Sequence, residues 1–192
     1  MIERNEMRQV DLPIHENRIV LVGGGVRSGK SSFALELAHR LGKRRAFIAT
    51  ATALDDEMKL RIERHQRERR DEFTTIEAPL DLALALDALV DHDVVVVDCL
   101  TLWLSNLLLD QQSVEAILAR ADEVVRALLK RRFHAVLVTN EVGMSIHPPT
   151  PIGRTFVEVA GWTHQRVARA ADEIYLAVLG TTLKIKPPPS AI

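Results

Sequence analysis

The chain has 192 residues, 47% of them hydrophobic and 27% charged, which is the range of globular soluble proteins and enough for one domain with a substantial core. A formal net charge of -1 argues against a general nucleic-acid binder, which would carry a basic surplus. The single cysteine, Cys99, excludes an internal disulfide and suits a reducing cytoplasm, and no apolar run approaches the ~20 residues of a membrane span.

Met1 to Asn17 is polar and charged, lacks the apolar segment of a secretory signal, and reads as a flexible arm. Residues 18–186 read as a single nucleotide-binding domain and residues 187–192, with Pro187-Pro188-Pro189, as a tail. Arg18 to Gly23 is a first strand, and Ser32 to Leu41 is a helix. Arg45 to Ala49 is a second short strand, followed by a loop from Thr50 to Ala53. Leu54 to Arg70 reads as a charged helix with Asp55 and Asp56 near its start, as the helix dipole prefers. Phe73 to Glu77 is a short strand, and Pro79 to Val90 has helical spacing with proline at its first position. Val94-Val95-Val96-Val97 is a β-branched run of the kind buried on both faces of a parallel sheet, and it ends in Asp98. Leu100 to Leu109 is an apolar helix, and Val114 to Arg132 an amphipathic one. Ala135 to Val138 is another buried strand, leading to Thr139-Asn140-Glu141. A loop from His147 to Pro151 precedes a helix from Thr155 to Ala171. Ile174 to Leu179 and Leu183 to Lys186 form a hairpin around Gly180. Trp103 and Trp162, both on apolar helical segments, are expected in the core.

One motif organises this order. Gly24-Gly25-Val26-Arg27-Ser28-Gly29-Lys30-Ser31 fits the phosphate-loop pattern G-x-x-x-x-G-K-S/T, with a strand before it and a helix after it. Such a loop wraps a phosphate with successive backbone N–H groups, and the helix start adds partial positive charge. Lys30 can reach the terminal phosphates, and the Ser31 hydroxyl can ligate Mg²⁺. The expected fold is therefore α/β: a P-loop NTPase (RecA-like) with a mostly parallel sheet, helices on both faces and a C-terminal β-hairpin. Asp98, a strand-end carboxylate, suits the Walker-B metal role; capping of the next helix is the alternative. His65 sits at the end of an apolar stripe with Met58 and Ile62, flanked by Arg61 and Arg64. A neutral imidazole is a competent nucleophile at phosphorus, yet a histidine on a charged helix is ordinarily solvated or packed. Asn140 and Glu141 end another strand, where a polar lip of the site would lie. No histidine spacing indicates zinc.

Several stretches together resemble one family, the bifunctional adenosylcobinamide kinase / adenosylcobinamide-phosphate guanylyltransferases. They are the loop Gly24 to Ser31; Ile48-Ala49-Thr50 with Asp55-Asp56-Glu57-Met58, Arg61-Ile62 and His65; Asp98-Cys99-Leu100-Thr101 with Asn106-Leu107-Leu108; Val138 to Met144; Ala160-Gly161, His164-Gln165-Arg166 and Ala170 to Glu173; and Gly180 with Lys184-Ile185-Lys186. The resemblance spans roughly Arg18 to Lys186. Val26 replaces the usual alanine, Gly23 adds a glycine, Asp98 stands where some members have glutamate, and His164 stands where asparagine is common; none removes a group the chemistry needs.

The resemblance implies two reactions. ATP or GTP phosphorylates adenosylcobinamide; GTP then donates GMP to that phosphate, giving adenosylcobinamide-GDP and pyrophosphate through a covalent GMP–histidine intermediate. It makes His65 the nucleophile and Lys30 its catalytic partner. It implies that Thr50, Ala51, Thr52, Gln66, Arg67, Glu68, Arg69, Glu77 and Asp98 join the loop in binding nucleotide, with Mg²⁺ on Ser31 and Asp98. Glu77 would accept from the guanine edge. It also implies a homotrimer. Two alternatives stand beside this: a guanylyltransferase without the kinase step, and a GTP-binding regulatory module. Against the second, Thr139-Asn140-Glu141-Val142 does not match the guanine-reading N-K-x-D pattern.

Overall fold

The computed structural model describes residues 17–52 and 72–186. Seven strands are present among them: β1 (Ile19–Gly24), β2 (Arg45–Ala49), β3 (Thr74–Glu77), β4 (Val94–Asp98), β5 (His134–Asn140), β6 (Glu173–Val178) and β7 (Thr181–Lys186). They form one sheet in the order β3-β2-β4-β5-β1-β6-β7. All neighbours are parallel except β6 and β7, which pair antiparallel as the C-terminal hairpin. The middle strands are apolar at consecutive positions because both of their faces are covered.

The helices are α1 (Lys30–Leu41), α2 (Leu82–Ala88), α3 (Leu100–Leu109), α4 (Val114–Leu129) and α5 (Pro151–Ala170). Strand alternation divides the core between the two faces. Ile19, Leu21, Ile48, Val95, Val97 and Leu137 meet residues of α2, α3, α4 and α5. Val20, Val22, Phe47, Val94, Val96, Val136 and Val138 meet Ala34 and Ala38 of α1. The burial of Ile117, Ala121, Val124 and Leu128 on α4 follows the helical repeat that the sequence showed.

Three helices depart most from the expected bounds, each for a local reason. The Pro79–Val90 segment is helical only over Leu82–Ala88. Its first residues are held as a turn by side chains from elsewhere: Asn106 Nδ2 donates to the Pro79 carbonyl at 3.0 Å, and Trp103 Nε1 to the Leu80 carbonyl at 2.8 Å. The fourth helix stops at Leu129, because Arg131 takes a left-handed φ of 49° that helix cannot continue through. The fifth starts at Pro151 rather than Thr155, since Thr150 Oγ1 accepts from Gly153 N at 3.2 Å and proline suits the first helical position. Trp103 is in the core as expected, whereas Trp162 is 40% exposed. The expected helix from Leu54 to Arg70 lies outside the described residues.

The strand order fixes what the site can be. β5 lies between β1, which leads into the glycine loop, and β4, which ends in Asp98. Gly24 is level with Asn140, and Asp98 with Val138. Two inter-strand spacings put the backbones of β1 and β4 about 10 Å apart.

Candidate functional site

The loop turns directly off the C-terminal end of β1. A Cβ on Gly24 would lie 2.5 Å from the Ala177 carbonyl oxygen of β6, so only glycine lets the strand leave the sheet here. Gly29, with φ of 95°, is the N-cap of α1; no side chain caps this helix and its first turn carries no acidic residue. The amide N–H groups at this start are therefore left for an anion. Lys30 is buried although charged, and its Nζ donates to the Gly25 carbonyl at 3.1 Å, which draws the ammonium back into the loop. Ser28 Oγ is buried and has no hydrogen-bond partner among the described residues. Buried polar groups are ordinarily satisfied, so an orphan hydroxyl inside a phosphate loop points to a ligand.

The end of β4 forms the second part. Asp98 is half-buried there, and the N-cap of α3 is Cys99, with no side-chain cap. The helix-capping alternative for Asp98 is thus not what the structure has. Cys99 is clamped by Thr50: the Thr50 hydroxyl accepts from Cys99 N at 2.7 Å and lies 2.8 Å from the Cys99 carbonyl. Asn106 Nδ2 donates to the Thr50 carbonyl at 2.8 Å. Thr50 is therefore fully buried, with its hydroxyl occupied in joining β2 to β4. Burial, and then the charge of Asp98, pushes the Cys99 thiol up to about 11, which removes it as a nucleophile.

Asn140 fills the gap between the two strand ends. Its Nδ2 donates to Thr101 Oγ1 at 3.0 Å, while its Oδ1 is buried without a partner among the described residues. Glu141 N donates to the Gly24 carbonyl at 3.1 Å, tying the next residue to the start of the loop. Behind this lip, Thr139 Oγ1 and His164 Nε2 are 2.6 Å apart. Burial holds the His164 pKa below its ordinary value, against the opposing charge of Glu141.

Among the predicted site residues, then, the fold gathers Gly24 to Ser31, Thr50 and Asp98 at one end of the sheet, with Ala51 and Thr52 following Thr50. Glu77 ends β3 at the sheet edge, level with Ala49, and is exposed. His65, Gln66, Arg67, Glu68 and Arg69 lie outside the described residues. Among the described residues no group of three His, Cys, Asp or Glu side chains could hold a metal ion. Thr101 was not singled out from sequence as a site residue. Its value lies in orienting Asn140, a contact across 39 positions that no local pattern announces.

A family model described as cobinamide kinase / cobinamide phosphate guanyltransferase matches residues 20–185. The chain is 37% identical to the bifunctional adenosylcobalamin biosynthesis protein CobP of Pseudomonas aeruginosa, covering 88% of this chain and 98% of that protein. It is 37% identical to the bifunctional adenosylcobalamin biosynthesis protein CobU of Escherichia coli, covering 88% and 99%. It is 38% identical to CobU of Salmonella typhimurium, with the same coverage of 88% and 99%. Among solved structures, the RadB recombinase aligns with a TM-score of 0.51 at 17% identity, covering 83% of this chain and 73% of that one. A Pyrococcus horikoshii protein aligns with a TM-score of 0.53 at 10% identity, covering 90% and 88%. Those structural likenesses establish the fold, that of a P-loop NTPase. The family match and the sequence identities establish more: this chain belongs to the cobinamide kinase / cobinamide phosphate guanyltransferase family of bifunctional transferases.

Proposed function

We propose that this chain phosphorylates the aminopropanol hydroxyl of adenosylcobinamide with ATP or GTP, then transfers GMP from GTP to the new phosphate. The observation that carries the reading is the glycine loop in a chain of this family: an uncapped helix start, a buried Lys30 and an orphan Ser28 hydroxyl at one point. Lys30 and the loop amides hold the terminal phosphates and offset charge on the leaving pyrophosphate. His65 attacks the α-phosphorus; a nitrogen–phosphorus bond forms as the bond to the β-phosphate breaks, and pyrophosphate leaves. A phosphate oxygen of adenosylcobinamide phosphate then attacks the same phosphorus. The nitrogen–phosphorus bond breaks, and His65 is regenerated beside adenosylcobinamide-GDP. Thr50, Ala51, Thr52, Gln66, Arg67, Glu68, Arg69 and Glu77 complete the nucleotide contacts in this reading. For Thr50 these run through its backbone or its placing of neighbours, since its hydroxyl is occupied.

Ser31 and Asp98 would hold Mg²⁺. A lone carboxylate and a hydroxyl, with no protein cage among the described residues, suit an ion bound largely through substrate phosphates and water. When bound, Mg²⁺ supplies charge neutralisation at the phosphates. A homotrimer is part of the proposal. Its support is the apolar face of the edge hairpin, where Val178, Leu183 and Ile185 are exposed. No described helix is long and apolar enough to cross a membrane, and we place the enzyme in the cytoplasm.

The test uses α-labelled GTP with Mg²⁺, followed by denaturation. The expected result is acid-labile, alkali-stable label on the wild-type chain and none on His65→Ala. Undiminished label on that variant would sink the covalent mechanism. Transfer of γ-label to adenosylcobinamide tests the kinase separately; its absence with guanylyl transfer intact would reduce the chain to a guanylyltransferase. Sedimentation reports the trimer.

A further inference from the structure

The C-terminal hairpin lies at the edge of the sheet in sequence order, yet its turn meets the phosphate loop. Gly180 N donates to the Ser28 carbonyl at 3.1 Å. A Cβ on Gly29 would lie 3.5 Å from Gly180 Cα, and one on Gly24 would lie 2.5 Å from the Ala177 carbonyl oxygen. Both ends of the loop are therefore seated on the hairpin. The cause is topological, since β6 pairs with β1 beyond the point where the loop departs.

The turn itself is unusual. Leu179 and Gly180 have φ of 52° and 78°. Positive φ at both positions of a two-residue hairpin turn favours Asn-Gly or Gly-Gly, and a leucine there is disfavoured. Leu179 is also 95% exposed, so no burial offsets the cost. A disfavoured turn persists where something outside it uses its shape. Here the shape directs the Gly180 N–H at the loop.

The Ser28–Gly29 peptide is planar and trans, so its carbonyl and its N–H point in opposite directions. Anchoring the Ser28 carbonyl on the hairpin turns the Gly29 N–H away from the hairpin. That N–H has no acceptor among the described residues. We infer that Gly180 is a positioning residue: through its backbone N–H it fixes the Ser28–Gly29 peptide and so aims the Gly29 amide at bound phosphate. The hairpin is then a working part of the nucleotide site. The inference rests on the loop holding nucleotide, as proposed above.

The test compares variants that differ only in their tolerance of the left-handed turn. A Cβ at residue 180 meets nothing within 4 Å, so side-chain size is not an issue there. Asparagine accepts φ > 0, whereas valine resists it. GTP binding is measured by calorimetry with Mg²⁺, and KM for GTP is compared with KM for adenosylcobinamide phosphate. Gly180→Val is expected to weaken GTP binding about tenfold and raise its KM likewise, the cost of one lost hydrogen bond to the ligand, with acceptor KM unchanged. Gly180→Asn should stay within about twofold of wild type. Wild-type affinity in a folded Gly180→Val protein would overturn the inference, as would an equal loss in Gly180→Asn. Should the valine variant not fold, Gly180→Ala carries the test with an expected loss of about threefold, and unchanged binding there counts against the inference. If the wild type itself binds no GTP, the nucleotide reading fails first, which separates the two.

Discussion

The two ends of the sheet treat their polar groups in opposite ways. At the N-terminal ends of the strands most charges are paired, Arg45 Nε being buried without a hydrogen-bond partner among the described residues. Asp93 accepts from the Lys43 and Arg44 amides and pairs with the Arg44 guanidinium, which together hold its carboxyl well below the usual range. Arg131 meets Asp172, and Arg18 and Lys184 meet Glu173. At the C-terminal ends, Ser28 Oγ and Asn140 Oδ1 are buried without partners among the described residues, and Asp98 forms no ion pair with another described residue. Among the described residues, one end of the sheet is largely paired by its own charges, while the other leaves polar groups without partners, as expected at strand carboxyl ends in open α/β sheets. The difference separates residues that hold the fold from residues that, in the function proposed above, serve the reaction.

The largest break in that contrast is expected from Lys30→Ala. It removes the charge at the centre of the loop and should lower both kinase and guanylyl transfer by about 10³-fold, while a helix-forming alanine keeps the fold. Steady-state assays of the two reactions, with circular dichroism as control, check it. Retention of either activity would mean that the loop serves only one of them. Asp98→Asn comes next, at about 10²-fold in kcat with little change in unfolding midpoint. A loss of stability as large as the loss of rate would move Asp98 into the structural group.

Asp172→Ala tests the opposite end. Its carboxylate accepts from Ile19 N at 2.7 Å and from Arg131 Nη1 and Nη2 at 2.8 and 2.9 Å. Removal strands a guanidinium that is largely buried and frees the start of β1, so the expected cost is about 2–3 kcal/mol in urea unfolding. Below the transition, kcat should stay within about twofold. A selective loss of kcat would show that the two ends are not independent.

Most of the fold was legible because the inner strands are short apolar runs between turn signals, and the helices between them carry a helical repeat. The motif Gly24 to Ser31 could be read with its flanks because strand, loop and helix are contiguous. The place of Asp98 at a strand end was legible for the same reason, as a carboxylate closing a β-branched run. What the sequence did not disclose was contact between distant segments. The commitment of the Thr50 hydroxyl to Cys99, the hold of Thr101 on Asn140 and the approach of Gly180 to Ser28 all depend on which strands become neighbours. Helix ends were misjudged where a tertiary partner replaced a helical bond, as Trp103 and Asn106 do near Pro79.

The smallest expected effect concerns the boundary between the two groups, at His164. This residue contacts Thr139, one position before Asn140, and is half-buried. Burial depresses its pKa, so the folded chain keeps it neutral at pH values where the unfolded chain, near 6.5, has begun to bind a proton. For a depressed pKa the sign is fixed. The stability associated with a neutral His164 is fully present above about pH 6.5, and it is lost as pH falls through the folded value. His164→Asn cannot titrate. Its unfolding free energy should fall less steeply than that of wild type below pH 6.5, by at most about 1.4 kcal/mol per pH unit. His134 shifts in the same direction, through burial and then the Arg18 charge, and remains in the variant as an internal reference. Parallel pH profiles for the two proteins would show that His164 binds its proton as readily in the fold as in the unfolded chain, and that the lip behind Asn140 belongs with the open end of the sheet after all.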